Sequence, residues 1–383
     1  MFKNKLDAVT MTLLAATVTG FGLMPDAIGD VAKKQQVTVP AAKVTIARDE
    51  VEKVIRSWAP GPQLAAQEMM AKYGGPQEVT SERLIWRAAG PFKRITLTRE
   101  ELPHDFPMPH MDYLEHTIAF NVPVDKSDEV HAFGASLTIY RVGGELSARC
   151  DLESNNVLTF NLANDVIAGK KTVADARKEF GDIVLQRTLG KDPAYAKGLQ
   201  FQPQTLAVAA SRETVTMPGA AKRVDAGMTK AGGDAEIMAM LTTVDLDEVH
   251  AASVAKTKKV GGPVMEYARM IHERHGKDVE DTAKLAVIIG VTPLQTPAVR
   301  ALHEKHAAAL ARIVPLEGDA FASAYLELMV NGHTETLQLL DRQLRAAKNK
   351  ALKAHLTSVR GIVAGHLTEA KRLRTDATQT SSR

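Results

Sequence analysis

Cysteine is almost absent from this chain of 383 residues, in which Cys150 is the only one. A single cysteine excludes an internal disulfide and any zinc site built from several cysteines. Because no histidine stands beside Cys150 in the sequence, we do not expect it to act as a nucleophile. The expected role of Cys150 is therefore that of a buried thiol.

Aromatic residues and excess charge are also scarce. Aromatic residues make up 5% of the chain, and 48 basic against 45 acidic residues leave a net charge of +3. A charge so close to neutrality gives no electrostatic footprint for nucleic acid, so no nucleic-acid partner is expected.

The glycine and serine motifs of common enzymes are missing as well. The sequence contains no phosphate-binding loop, no dinucleotide-binding glycine pattern and no Gly-x-Ser-x-Gly nucleophile turn. It therefore names no reaction, and a non-enzymatic role is favoured over an enzymatic one.

Long apolar runs are confined to the N-terminus. Lys3 and Lys5 precede a mostly apolar or small segment at 8–24, which ends before Pro25. Its length is typical of a signal-peptide core and short for a membrane span. We predict a signal peptide at 1–29, a periplasmic or secreted location, and no transmembrane segment after signal removal. Asp7 and the lack of a small-x-small cleavage site leave a retained anchor, or no targeting role, as alternatives.

Residues 49–190 mix the periodicities of helices and strands. Gly143-Gly144 is a two-residue hairpin signal between two alternating segments. The pattern predicts an α+β domain, an antiparallel sheet with helices on one side. Helices are predicted at 49–58, 63–73, 157–168 and 172–189, and strands at 82–87, 93–98, 116–122, 135–142 and 145–151. Residues 191–233, rich in proline and glycine, are predicted to be a linker.

Helical periodicity dominates residues 234–374. Long helices are predicted at 234–258, 263–289, 318–347 and 349–373, and a shorter one at 297–314. Two tight hairpins joined by one long connection is the wiring of ferritin-like proteins. The sequence therefore predicts an all-α, ferritin-like four-helix bundle with one long crossover.

One ionisable residue interrupts the apolar stripe of each long helix. These residues are Glu248, His275, His333 and His366. With a rise of about 1.5 Å per residue, their heights agree within roughly 7–8 Å. Burying such a group alone costs several kcal/mol, whereas neighbours or a shared cation would satisfy it.

Three interpretations of this pattern stay open. In the first, the four residues form a site for a transition metal such as zinc, copper, iron or manganese. In the second they form a structural polar cluster, and in the third their common spacing is a coincidence. None of the four helices carries the Glu-x-x-His pair that carboxylate-rich di-iron sites require.

A second polar constellation lies near the middle of the first domain. His104, His110, Asp112 and His116 are candidate ligands for a metal or another ligand. The prolines of this segment favour a rigid loop in which the side chains could converge. A solvated surface loop is the alternative.

Short motifs in 234–374 resemble those of a known family. They are Asp-Ala-Glu-Ile at 234–237, the segments 270–275 and 321–333, Ile-Gly-Val-Thr-Pro at 289–293 and Val-Ala-Gly-His-Leu at 363–367. The region resembles DUF4142, an exported bacterial domain of unknown function in the ferritin-like group. The resemblance implies fold and export, and histidines at 275, 333 and 366. It leaves open which residue of the pair Asp247-Glu248 faces inward.

Two functional hypotheses follow from these patterns. The first is an exported envelope protein of unknown activity that binds an unidentified partner or ligand without catalysis. The alternative is a metal-binding or metal-dependent redox protein that uses the Glu/His cluster of the bundle.

Overall fold

The computed structural model describes residues 44–210, 213–224 and 232–380. The signal peptide predicted at 1–29 lies outside the described residues. The chain divides into two compact units, Met1–Ser211 and Arg212–Arg383. This division falls within the predicted linker, 191–233. The domain limits 49–190 and 234–374 remain predictions.

The N-terminal unit is a six-stranded antiparallel sheet with helices, in the strand order β1-β2-β3-β4-β6-β5. Its strands are β1 (Glu78–Val79), β2 (Arg83–Ala89), β3 (Phe92–His104), β4 (His110–Ala119), β5 (Leu137–Tyr140) and β6 (Glu145–Cys150). Its helices are α1 (Arg48–Ile55), α2 (Pro60–Tyr73), α3 (Ser127–Phe133), α4 (Glu153–Ile167), α5 (Val173–Thr188), α6 (Ala194–Lys197) and α7 (Leu206–Ala209).

Alternation along the strands separates an apolar face of the sheet from a polar one. Leu84, Ile95 and Leu114 are fully buried in the core, which also holds residues of α2 and α4. On the opposite face Arg94 donates a hydrogen bond of 3.1 Å to Glu145. The helices therefore pack against the apolar face of the sheet, and polar side chains lie on the opposite face.

Four features differ from the sequence prediction. Strands β3 and β4 extend to His104 and from His110, because their pairing resumes beyond a register shift between Leu97 and Leu102. The β5–β6 connection has four residues, 141–144, rather than two. Helix α3 was not predicted, and short elements occur within 191–233 where only a linker was expected.

The C-terminal unit consists mainly of helices. They are α8 (Asp234–Thr257), α9 (Gly262–Ile288), α10 (Pro297–Ile313), α11 (Gly318–Ala346) and α12 (Lys350–Thr380). A two-strand parallel pair, β7 (Lys222–Arg223) with β8 (Leu294–Gln295), completes it. Helix α8 packs against α9 and α11, α12 packs against α9 and α11, and α10 packs against α8 and α11.

A polar layer splits the apolar core of this unit in two. One cluster holds Ile271, Tyr325 and other residues towards one end, and the second holds Leu241, Leu356 and their neighbours. The stripes of the long helices supply both clusters, as their 3–4 spacing predicts. Between them the interrupting ionisable side chains are buried at one level. None of the helices within the described residues is long and apolar enough to cross a bilayer.

Candidate metal centre

Three histidines from three different helices meet in the polar layer. His275 on α9 and His333 on α11 are 0% exposed, and His366 on α12 is 6% exposed. Their ring centroids are 5.1–6.0 Å apart. One nitrogen from each ring lies within 4.8 Å of the others. The three imidazoles are therefore close enough to share one ion.

Hydrogen bonds made by Nδ1 fix the orientation of two of these rings. His275 Nδ1 donates to Asp245 Oδ1 at 2.8 Å, and His333 Nδ1 donates to the Met329 carbonyl at 2.7 Å. In a neutral imidazole this leaves Nε2 as a lone-pair acceptor. Metal-binding histidines are held in the same way, by a carboxylate or carbonyl on the other nitrogen.

Three nitrogens of the cluster lack a hydrogen-bond partner in the part of the chain that the structure describes. They are His275 Nε2, His333 Nε2 and His366 Nδ1, and all three are buried. Buried nitrogens in folded proteins almost always have a partner, so three orphans in one cluster call for an explanation. A cation that accepts all three lone pairs supplies one.

Carboxylates surround the histidines and make the layer anionic. Glu248 Oε1 lies 3.8 Å from His333 Nε2, and Glu248 Oε2 has no hydrogen-bond partner. Asp245 and Asp278 are 1% exposed, and each has one oxygen without a partner. Arg274 donates to the other oxygen of Asp278 at 2.8 Å. A positive ion would be favoured electrostatically in such surroundings.

Burial and the neighbouring carboxylates act in opposite directions on the pKa values of the three rings. It lowers the pKa of His333, and together with the neighbouring histidines it lowers the pKa of His366 to about 3. Burial also acts to lower the pKa of His275, but the hydrogen bond to Asp245 and the charge of Glu248 raise it overall. Burial raises the pKa of Asp245 to about 6. At neutral pH His333 and His366 are thus neutral, the form in which imidazole binds metal.

The four residues expected from the sequence do not contribute equally. The three histidines converge, whereas Glu248 approaches only His333 and lies outside the tight three-nitrogen group. The acidic partner of His275 is Asp245, which the sequence analysis missed, as it missed Asp278. Asp245 stands three residues before Glu248 and Asp278 three after His275, so helical spacing could have identified both.

A pocket of about 180 Å³ lies beside this layer on the side of Glu248. Glu248 and Asp247 both line it, together with residues of α10 and α11. Asp247 accepts hydrogen bonds from His303 at 2.6 Å and His306 at 2.8 Å, both on α10. Glu248 is thus the member of the pair that approaches His333, and Asp247 binds the neighbouring helix.

Comparison with known families identifies this region. Residues 209–373 match the family model described as Domain of unknown function (DUF4142). The C-terminal unit carries a DUF4142 domain. The match includes all three histidines and the carboxylates around them, and the family description assigns no activity. No curated protein and no solved structure matches the chain.

Outside the DUF4142 domain, the N-terminal unit brings together three of its four candidate ligands. His104 Nδ1 lies 3.2 Å from Asp112 Oδ2, and His110 Nε2 lies 3.0 Å from Asp112 Oδ1. Burial raises the pKa of Asp112, and the two histidines and Arg149 act against that rise. The candidate residues His104, His110 and Asp112 therefore form one cluster at the ends of β3 and β4.

His116 belongs to a different set of contacts. Strand geometry places it roughly 13 Å along β4 from Asp112, because each residue advances about 3.3 Å. Its ring is fully buried, with Nδ1 3.0 Å from Asn156 Nδ2 and Nε2 3.5 Å from Glu153 Oε2. Hydrogen bonds from His116, Lys72 and Tyr73 outweigh burial and hold the pKa of Glu153 at about 2. His116 is thus a buried core histidine that lies outside the cluster of the other three candidates.

Cys150 has a histidine neighbour that the sequence did not reveal. Its Sγ lies 3.2 Å from His110 Nε2, because β4 and β6 pair side by side. Sγ also donates to Asp151 Oδ1 at 3.2 Å, and Asn155 Nδ2 lies 3.4 Å from it. Burial, with Asp151, raises the pKa of Cys150 to about 12. In these surroundings Cys150 is a protonated thiol and a poor nucleophile.

Proposed function

We propose that the DUF4142 domain binds one divalent transition-metal ion through His275, His333 and His366. The host is an exported envelope protein, periplasmic or secreted, whose role is to bind rather than to catalyse. The fold that carries the site is a ferritin-like four-helix bundle with one long crossover. These statements extend the family match, which itself names no activity.

The observation that carries the proposal is the set of three buried imidazole nitrogens that have no hydrogen-bond partner among residues 44–210, 213–224 and 232–380. Each buried polar atom without a partner costs about 1–3 kcal/mol. Three such costs at one point are large beside the net stability of a domain. Metal coordination satisfies all three nitrogens at once, whereas a purely structural cluster would satisfy them with one another.

The arrangement of α8 to α12 supports the bundle. Helices α8 and α9 form one hairpin and α11 and α12 another, and the longer connection between them contains α10. In ferritin-like proteins the metal ligands also project inward from facing helices.

The donor set defines the class of metal. Three imidazoles with a carboxylate nearby suit zinc, copper, iron or manganese, and harder ions prefer oxygen ligands. Glu248 is placed to provide a fourth ligand or to accept a hydrogen bond from bound water. Asp245 would orient His275 and raise its basicity as a ligand.

Metal binding is preferred to the broader partner-binding hypothesis because three specific nitrogens, those of His275, His333 and His366, support it. A redox function would need a copper or iron ion at the same position, so the identity of the bound metal separates the two cases.

Equilibrium dialysis of the full chain against Zn²⁺ tests the proposal. With Asp112→Asn included to remove donors in the other unit, we expect one equivalent of zinc at saturation. Replacing His333 by Gln in that protein should weaken binding at least about 100-fold, because a direct ligand matters at least as much as its supporting residues.

The matched control is His272→Ala. His272 lies one turn before His275 on α9 and bonds to Ser253, away from the three-histidine cluster. It should bind zinc as the parent does. A folded parent that takes up no zinc, or equal losses in the His272 and His333 variants, would refute the site.

A further inference from the structure

We propose that the N-terminal unit holds a second, independent site for a divalent transition-metal ion, with His104, His110 and Asp112 as its ligands. No family match covers this part of the chain. The inference does not depend on the function proposed for the DUF4142 domain, because all of its residues lie in the other unit.

Strand pairing builds this site. His104 is the last residue of β3 and pairs with His110, the first residue of β4, and Asp112 pairs with Leu102. His110 and Asp112 are two residues apart, so their side chains point to the same face of the sheet. The three donor atoms lie within 4.8 Å of one another. The ligands therefore come from a regular part of the sheet, which holds them more firmly than a loop would.

The contact between His110 and Asp112 points to a cation. His110 Nδ1 lies 2.9 Å from the Met108 carbonyl oxygen. Because a carbonyl oxygen can only accept a hydrogen bond, Nδ1 must carry a hydrogen and donate it. In the neutral ring Nε2 then carries a lone pair, yet it lies 3.0 Å from the Asp112 carboxylate. Two electron-rich atoms at that distance repel unless a second proton or a metal ion lies between them.

Asp112 supplies an independent observation. The residue is 5% exposed, and among the described residues its Oδ1 has no partner in hydrogen-bond geometry, although His110 Nε2 lies 3.0 Å away. His104 Nδ1, 3.2 Å from the other oxygen, is likewise buried without a partner. Ligands around a common ion approach one another closely without hydrogen-bond geometry. The edges of a tetrahedral zinc site are roughly 3.3–3.6 Å for bonds of about 2.0–2.2 Å, and the contacts here are slightly shorter, at 3.0 and 3.2 Å.

Cys150 stands beside the site but outside the ligand set. Its thiol donates to Asp151, and Asn155 lies near enough to donate to the sulfur, so its hydrogen bonds are satisfied. The ligands are therefore two imidazoles and one carboxylate. Two histidines and a carboxylate with open positions suit Fe²⁺, Mn²⁺ or Zn²⁺ rather than a thiophilic ion.

A pocket lies beside one of the three proposed ligands. A pocket of about 400 Å³ is lined by His110, Asp151 and Asn155. An ion reaching His110 through this pocket would keep water in its remaining positions.

Cobalt titration of the full chain tests the second site. The parent carries His275→Gln and His333→Gln to disable the other site, and Co²⁺ binding is followed by visible absorption and by dialysis. We expect one equivalent in this parent and at least about a 100-fold weaker affinity with Asp112→Asn. With Cys150→Ser the affinity should stay within threefold, and no thiolate-to-cobalt charge-transfer band should appear.

Controls separate lost ligands from lost structure. Trp58 and Trp86 are both in this unit, so their fluorescence shows whether each variant is folded. His104→Gln, at a strand end and 18% exposed, is a second ligand variant that should also weaken binding. A folded parent without bound cobalt would show that an imidazolium–carboxylate pair explains the contact, and would overturn the site. Loss of binding in Cys150→Ser would overturn the ligand set.

Discussion

Zinc is expected to raise the unfolding free energy of the DUF4142 domain by about 4 kcal/mol when free zinc is 1,000 times the dissociation constant. The increase arises because the ion binds the three imidazoles only when the helices bring them together. In the variant His366→Leu it should vanish, since two imidazoles and a carboxylate at a distance bind far more weakly.

The same variant distinguishes a metal site from a structural cluster. In chelator, His366→Leu should not lower the unfolding free energy and should raise it by up to about 1–3 kcal/mol, because it removes a buried nitrogen that has no partner among the described residues. Were the histidines held together by hydrogen bonds, breaking that cluster would destabilise the domain by about 1–3 kcal/mol with or without zinc.

The two units can be followed separately in this experiment. Both tryptophans, Trp58 and Trp86, are in the N-terminal unit, so their fluorescence reports only on that unit. Circular dichroism at 222 nm follows the helices of both units. A zinc-dependent shift in the dichroism transition that the tryptophans do not share belongs to the DUF4142 domain.

Asp245→Asn is expected to reduce zinc affinity about 10–100-fold. The asparagine oxygen can still accept the proton of His275 Nδ1, so ring orientation is kept while the negative charge behind the ring is lost. A less basic imidazole binds metal more weakly, and one buried anion is removed from the layer. Zinc titration by competition with a chromophoric chelator measures the change.

Asp247→Asn is the matched control for that prediction. Asp247 lies two residues later on the same helix and bonds to His303 and His306 instead of the three-histidine cluster. Its zinc affinity should stay within threefold of the parent. Equal losses in both variants would show that the helix as a whole matters and that Asp245 has no special role.

The helices and the inward-facing histidines could both be predicted from the sequence because the 3–4 spacing of apolar residues indicates a helix and also its buried face. A stripe that continues past His275 and His333 on either side requires those residues to face the core. Asp245 was missed because it stands beside Val244, which already filled the expected position of the stripe. Periodicity places a residue on a face, but it does not tell which neighbour on that face forms the hydrogen bond.

The strand region was less predictable for a different reason. The register shift between Leu97 and Leu102 interrupts alternation, so the sequence indicated a loop where β3 and β4 in fact continue. The proximity of Cys150 to His110 follows from the pairing of β4 with β6, and pairing between distant strands leaves no trace in local spacing.

X-ray absorption of the zinc-loaded protein tests the central claim most directly. In the full chain carrying Asp112→Asn, the zinc edge should show nitrogen or oxygen ligands at about 2.0–2.1 Å, with the scattering of three imidazole rings. Adding His366→Gln should reduce the imidazole count to two or abolish binding. Zinc bound with fewer than three imidazoles in the parent, or with sulfur at about 2.3 Å, would contradict a three-histidine centre.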